Sequence, residues 1–175
     1  MHRDLKLENI LLDTKNMQLK ILDFGFACYG NIDQLNEFRG TDSYMAPEIK
    51  AGMTYNGIQV DIFSAGVILF IIVNGIFPFR SADPGDYFFD LLVEKNYIKY
   101  WNKISNFPMS APFKDLMQKL LSPNGSERPS IAEIRQHEWF TACPEYDFLG
   151  TKNRLKEEFF TRQQNKVLNG LQTLP

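Results

Sequence analysis

Three oxygen-bearing side chains near the start of the chain, Asp4, Asn9 and Asp23, and one amine, Lys6, could together handle a phosphoryl group. A carboxylate and an amide oxygen are hard ligands of the kind Mg²⁺ takes beside substrate phosphates, a role open to Asp23 and Asn9. Asp4 can accept the proton of an attacking hydroxyl, and Lys6, two residues on, can neutralise charge on the group in transit. A base, a cation and metal ligands in one place imply phosphoryl transfer. These residues fall in two short runs, His2-Arg3-Asp4-Leu5-Lys6-Leu7-Glu8-Asn9 and Asp23-Phe24-Gly25. A lone Asp-Phe-Gly arises by chance in loops, so the weight lies on the combination.

The elements between and after the runs must bring them together. Ile10-Leu11-Leu12 and Leu19-Lys20-Ile21-Leu22 read as a strand pair joined by the turn chemistry of Asp13-Thr14-Lys15-Asn16. That pairing carries Asp4, Asn9 and Asp23 to one edge of a small sheet. Asp23 to Gly40 has no period and reads as a loop, of a length that is usually functional or disordered. Beyond Pro47 the chain is helical. Val60 to Val73 forms a helix buried on nearly all sides, closed by Asn74-Gly75 and Pro78. Asp86 to Lys95 carries Tyr87, Phe88, Leu91 and Leu92 at helical spacing, and Pro112 to Leu121 puts Phe113, Leu116, Met117, Leu120 and Leu121 on one face. Ser130-Ile131-Ala132-Glu133 has capping-box form and starts a helix to about His137. Lys152 to Leu168 reads as a solvated helix with a thin apolar stripe of Leu155, Phe159 and Val167. The expected fold is mainly α with a short β hairpin.

Composition bounds the partners. The 175 residues are 44% hydrophobic and 23% charged, a globular balance. Nineteen basic against twenty-one acidic side chains give a net charge of −2, with no overall field to draw nucleic acid. Two cysteines are too few for a disulfide framework, and Met1-His2-Arg3-Asp4 opens without an apolar h-region, which reads as a cytoplasmic or nuclear protein. The weakly polar run Ile62–Val73, bracketed by Asp61 and Asn74, is shorter than the roughly 20 residues a bilayer needs, so no membrane span is expected.

With these elements placed, the chain resembles the C-terminal lobe of a eukaryotic protein kinase, beginning at the catalytic loop. His2-Arg3-Asp4-Leu5-x-x-x-Asn9 matches that loop, Asp23-Phe24-Gly25 the magnesium motif, and Ala46-Pro47-Glu48 the end of the activation segment. Asp61-Ile62-Phe63-Ser64-Ala65-Gly66 resembles the family's Asp-x-Trp-Ser-x-Gly, with Phe63 in place of tryptophan. Gly75-Ile76-Phe77-Pro78-Phe79 and Arg128-Pro129-Ser130 fall where the family has them. The likeness covers roughly residues 2 to 140. It implies a kinase-domain fragment over 1–140 and a tail over 141–175 with a helix.

The resemblance implies a serine/threonine protein kinase using ATP and Mg²⁺ on protein serine and threonine hydroxyls. Asp4 would be the base, Lys6 the lysine that steadies the γ-phosphate, Asn9 and Asp23 the metal ligands, and Thr41 the hydroxyl bridging base and lysine. The Gly40-Thr41-x-x-Tyr44-x-Ala46-Pro47-Glu48 run and the His137-x-Trp139-Phe140 ending resemble the calmodulin-dependent and AMP-activated kinase group. Glu48 and Arg128 would form a buried ion pair, and Asp61 would accept hydrogen bonds from the catalytic-loop backbone.

Relatives place a phosphothreonine three residues before the Gly-Thr pair to organise the arginine beside the base. Here that position is Glu37, with no serine or threonine between Gly25 and Gly40, so Glu37 is expected to pair with Arg3 as a fixed anion. The chain holds no G-x-G-x-x-G loop and no Val-Ala-x-Lys strand. A fragment lacking the N-terminal lobe and the helix before the catalytic loop would leave apolar faces open and turn over negligibly alone. The alternative reading is a catalytically dead binding or regulatory module.

Overall fold

The computed structural model describes residues 1–13, 15–16, 18–30, 33–104 and 108–142, together with residues 153, 157 and 161. The chain divides into two compact units, one of residues 1–11 and 21–142, the other of residues 12–20 and 143–175. In the second unit Asn153, Glu157 and Thr161 are helical and exposed, and the Thr161 hydroxyl donates to the Glu157 carbonyl at 2.8 Å. The rest of the helix expected over Lys152–Leu168 lies outside the described residues.

Strand β1 (Ile10–Asp13) pairs with β2 (Gln18–Ile21) in a two-stranded sheet. Asp13 builds the turn between them by accepting from the Lys15 and Asn16 amides at 2.9 and 3.4 Å. Among the described residues of the first unit seven helices follow: α1 (Pro47–Lys50), α2 (Gly57–Asn74), α3 (Tyr87–Val93), α4 (Tyr97–Ile104), α5 (Ala111–Leu120), α6 (Ile131–Gln136) and α7 (Glu138–Thr141).

Local chemistry sets most boundaries. Asn56 caps α2 by accepting from the Ile58 and Gln59 amides, and Gly75 ends it at φ 73°, a left-handed conformation that glycine adopts without a Cβ clash. Asp86 caps α3 and also accepts from the Arg80 and Ser81 amides, fixing the loop before the helix. Ser130 and Glu133 close the expected capping box of α6. That helix stops at Gln136 because His137 leaves helical geometry and caps α7 instead.

The core lies where α2 meets α5. Phe63, Val67 and Phe70 of α2 and Leu116, Met117 and Leu120 of α5 are all buried, with Gly66 allowing the close approach. Aromatic rings extend it: Phe63 stacks on Phe79 at 5.8 Å and Phe70 on Trp101 at 6.1 Å.

Three details differ from the sequence expectation. Helix α4 was not anticipated, although Tyr100, Trp101 and Ile104 bury one face of it. On α3, Tyr87 is exposed and Phe89 takes the core position, because the cap at Asp86 fixes the helix phase. Helix α2 is not buried all round. Half of it is buried, and Ile58, Ala65, Ile72 and Val73 are exposed. Its length and mean hydropathy, 1.9 over 18 residues, are those of a membrane span, a test that the core helix of a globular unit also passes. Its exposed side opens on an apolar groove of 840 Å³ lined by residues that include Leu5, Ile62, Leu69, Ile131 and Ile134.

Candidate active site

Asp4 lies on an irregular stretch that a 3₁₀ turn, Leu7–Asn9, joins to β1, and it is buried at 6% exposure. Both of its carboxylate oxygens are engaged. Oδ2 accepts from the Lys6 ammonium at 2.8 Å and Oδ1 from the Thr41 hydroxyl at 2.7 Å. Lys6 Nζ also donates to Thr41 Oγ1 at 2.8 Å, which closes a triangle of acid, amine and alcohol. Asn9 Nδ2 donates to the Asp4 carbonyl at 3.0 Å, leaving Oδ1 as its open acceptor. Asp4's hydrogen bond, and then its charge with those of Glu8 and Asp23, raise the Lys6 pKa against the effect of burial, so the amine stays cationic.

Backbone contacts hold the stretch from both sides. Asp61, in the second turn of α2, accepts from the His2 amide at 2.7 Å and the Arg3 amide at 2.8 Å. The Asp4 amide donates to His2 Nδ1 at 3.2 Å, which makes Nε2 the protonated nitrogen, and Nε2 donates to the Leu22 carbonyl at 2.9 Å. The Leu22 amide in turn donates to the Asn9 carbonyl at 2.8 Å. One residue on is Asp23, at φ 59°, with Oδ1 accepting from the Gly25 amide at 3.2 Å.

Arg3 sits at φ 67° and links the Asp4 stretch to the following loop. Its Nε donates to the Phe26 carbonyl at 2.6 Å and its Nη1 pairs with Glu37 Oε2 at 2.7 Å. Arg39 approaches the other Glu37 oxygen at 3.8 Å, and the Tyr55 hydroxyl donates to the Glu37 carbonyl at 2.9 Å. Burial works against the Arg3 charge, but the bonds with Glu37 and Tyr55 outweigh it and raise the pKa. The same hydrogen bond, then the charge of Arg3, lowers the Glu37 pKa.

The sequence-derived residues therefore divide. Asp4, Lys6, Asn9 and Thr41 form one hydrogen-bonded cluster, and Arg3 and Glu37 form a pair. Asp23 stands on the neighbouring loop, coupled to Lys6 through charge. Among the described residues no three His, Cys, Asp or Glu side chains cluster as a metal site. The available donors are the Asp23 carboxylate and Asn9 Oδ1, two hard oxygens beside an ammonium. That set fits Mg²⁺, which completes its shell from phosphates and water.

Further out, Arg128 meets Glu48 through two bonds, Nη1–Oε1 at 2.6 Å and Nη2–Oε2 at 2.8 Å, with no exposure of the arginine side chain. Sequence reasoning assigned nothing to His2 or Lys50. A histidine next to Arg3-Asp4 was a visible signal. Lys50 gave none, because its partners, Asp42 and Asp83, lie in separate segments, a short turn and a loop.

A carboxylate bonded to a hydroxyl and an ammonium, with a second carboxylate and an amide oxygen nearby, stand in a mainly helical unit. The protein kinase domain family matches residues 1–140, and the chain belongs to that family. It is 41% identical over 139 residues to serine/threonine-protein kinase kin-29 of Caenorhabditis elegans, covering 79% of this chain and 16% of that protein. Mouse serine/threonine-protein kinase SIK1 is 37% identical over 144 residues, 82% of this chain and 18% of SIK1. CBL-interacting protein kinase 26 of Oryza sativa subsp. japonica is 34% identical over 169 residues, 91% of this chain and 31% of that kinase. Across such relatives the chain spans from 14% to 37% of their length.

Proposed function

We propose that the chain supplies the acceptor-side half of a serine/threonine protein kinase, transferring the γ-phosphoryl group of ATP to serine or threonine hydroxyls of proteins. The observation that carries this reading is the Asp4–Lys6–Thr41 triangle, with its three contacts of 2.7–2.8 Å. In this role Asp4 accepts the proton of the acceptor hydroxyl as the new bond to the γ-phosphorus forms and the bond from that phosphorus to the β-phosphate oxygen breaks, ADP leaving with the electron pair. Lys6 balances negative charge on the group in transit. Thr41 orients both, and Asn9 and Asp23 hold Mg²⁺ against the nucleotide. Held by these two residues, Mg²⁺ would offset negative charge on the phosphates of ATP, the phosphoryl donor. Glu37 acts as a built-in anion that holds Arg3 without phosphorylation of the loop.

The test uses the 175-residue chain and a chimera joining it to the N-terminal part of mouse SIK1. Peptide phosphorylation by the chimera is expected, with Asp4→Asn lowering kcat by about 10²–10⁴-fold, the usual contribution of a positioned base. A chimera with Asp4→Asn that retains the parent rate rules out this role for Asp4. The second reading, a binding or regulatory module, is favoured by the open 840 Å³ groove. It is supported instead if no variant transfers phosphate and Mg-ATP leaves the melting temperature unmoved.

A further inference from the structure

Lys50 ends α1 with its ammonium turned inward, and its side chain is only 6% exposed. A buried ammonium needs partners to offset lost hydration. Lys50 has two, the carboxylate of Asp42 and that of Asp83, the latter at 2.8 Å. Those residues lie on different segments. Asp42 opens the 3₁₀ turn Asp42–Tyr44 directly after Thr41. Asp83 lies in the loop between α2 and α3. Burial works against the charge of Lys50, yet the two carboxylates more than compensate, and its pKa is raised while that of Asp83 is lowered.

The loop that carries Asp83 is well anchored. Ala82 beside it is buried, the Asp86 amide donates to the Asp83 carbonyl at 3.2 Å, and Asp86 itself accepts from the Arg80 and Ser81 amides. Ser81 Oγ lies 2.7 Å from Asp83 Oδ2 and 3.3 Å from Asp42 Oδ2, so the two carboxylates are near neighbours. Without a cation between them they repel. The turn after Thr41 is held at its far end, where Tyr44 and Met45 are buried and the Ser64 hydroxyl donates to the Tyr44 carbonyl at 2.8 Å, so the end able to yield is Asp42, 68% exposed and tied within the turn by the Met45 amide on its carbonyl.

We infer that Lys50 is a positioning residue: shared by Asp42 and Asp83, its ammonium fixes the turn that presents Thr41 to Asp4 and so sets the face of the site that meets the acceptor peptide. The inference rests on the proposed phosphoryl transfer for its catalytic meaning, and on hydrogen exchange for its structural one. The ion group is confined to this face and touches neither Asn9 nor Asp23. Loss of Lys50 therefore acts through Thr41 on Asp4 and Lys6 and leaves Asn9 and Asp23 in place.

Two readouts decide it. Hydrogen exchange on the 175-residue chain compares wild type with Lys50→Met, Lys50→Arg and the double variant Lys50→Met/Asp42→Asn. Lys50→Met is expected to speed exchange at the Tyr44 and Met45 amides about tenfold, with the α2 and α5 amides unmoved as the measure of intact folding. Lys50→Arg keeps the cation and restores protection. The double variant restores part of it by removing the repulsion. In the chimera, Lys50→Met is expected to lower peptide kcat/KM by about 10- to 100-fold through misplacement of the acceptor, with KM for ATP unchanged. Unchanged exchange at Tyr44 and Met45 overturns the inference, whatever the activity. Faster exchange with wild-type peptide kinetics overturns the positioning role. Faster exchange when even the unsubstituted chimera transfers no phosphate retires the proposed activity and leaves Lys50 as a tie between the two segments.

Discussion

Arg3 occupies a left-handed backbone conformation, φ 67°, which costs a non-glycine residue about 1–2 kcal/mol. Three bonds hold it there: its amide to Asp61, its Nε to the Phe26 carbonyl and its Nη1 to Glu37. The bend turns the Arg3 side chain toward the 26–39 loop while the next residue, Asp4, faces Lys6 and Thr41. Glu37 is thus the point at which the loop registers on the site. Its carboxyl pKa is depressed, so its contribution is present above the unfolded value, about 4.3, and is lost as pH falls through the lower folded value. The tie is therefore intact at pH 5 and breaks only below the ordinary glutamate range. Glu37→Gln, which cannot ionise, is expected to weaken the tie at every pH and to lower kcat of the chimera about three- to tenfold at pH 7. Rate–pH profiles of the two proteins check both statements, and identical profiles reject the clamp. A glutamate has less charge than a phosphate, so the effect is modest by design of the chemistry.

At the scale of elements, the α2–α5 contact sets the geometry of the frame. Gly66 is there because a Cβ at that position would lie 2.9 Å from Leu120 Cβ and 3.1 Å from Leu121 Cδ2. Helix propensity alone favours alanine, by about 1 kcal/mol, but overpacking at a helix crossing costs about 1–3 kcal/mol. The steric effect wins. Gly66→Ala is expected to destabilise the chain, read as a lower urea midpoint with an unchanged m value, whereas a stabilised variant would show that α5 can slide away. Helix α2 also begins four residues before Asp61, so its position carries the carboxylate that holds His2 and Arg3. A shift of α2 against α5 therefore reaches the site through Asp61.

Across the whole first unit, Glu48 and Arg128 join residues 80 positions apart. The arginine is completely buried, its Nε donates to the Ser122 carbonyl at 2.9 Å, and its guanidinium lies 4.8 Å from the centre of the Phe63 ring. Removing one partner leaves a charge buried alone, so Arg128→Met is expected to cost about 3–5 kcal/mol, measured by chemical unfolding. Glu48→Gln/Arg128→Met is expected to recover much of that loss, and equal losses in the single and double variants would show that the charge was not the cause. Much of this architecture was legible in the linear pattern. The hairpin, the long loop, α2, α5 and the capping box of α6 are written in turn residues and hydrophobic period, which act over a few positions. The pairing of Glu48 with Arg128 and of Arg3 with Glu37 was legible only through the family likeness, since nothing local links such distant residues.

Sequence by itself determined which chemical groups the molecule owns and which short elements carry them, because side-chain type, capping and periodicity are local properties. Only the tertiary structure decided that α2 keeps one apolar side open, that Phe89 displaces Tyr87 from the core and that Lys50 sits between two acids. Each of these depends on where separate segments meet, and that is fixed by burial and ion pairing summed over the whole unit.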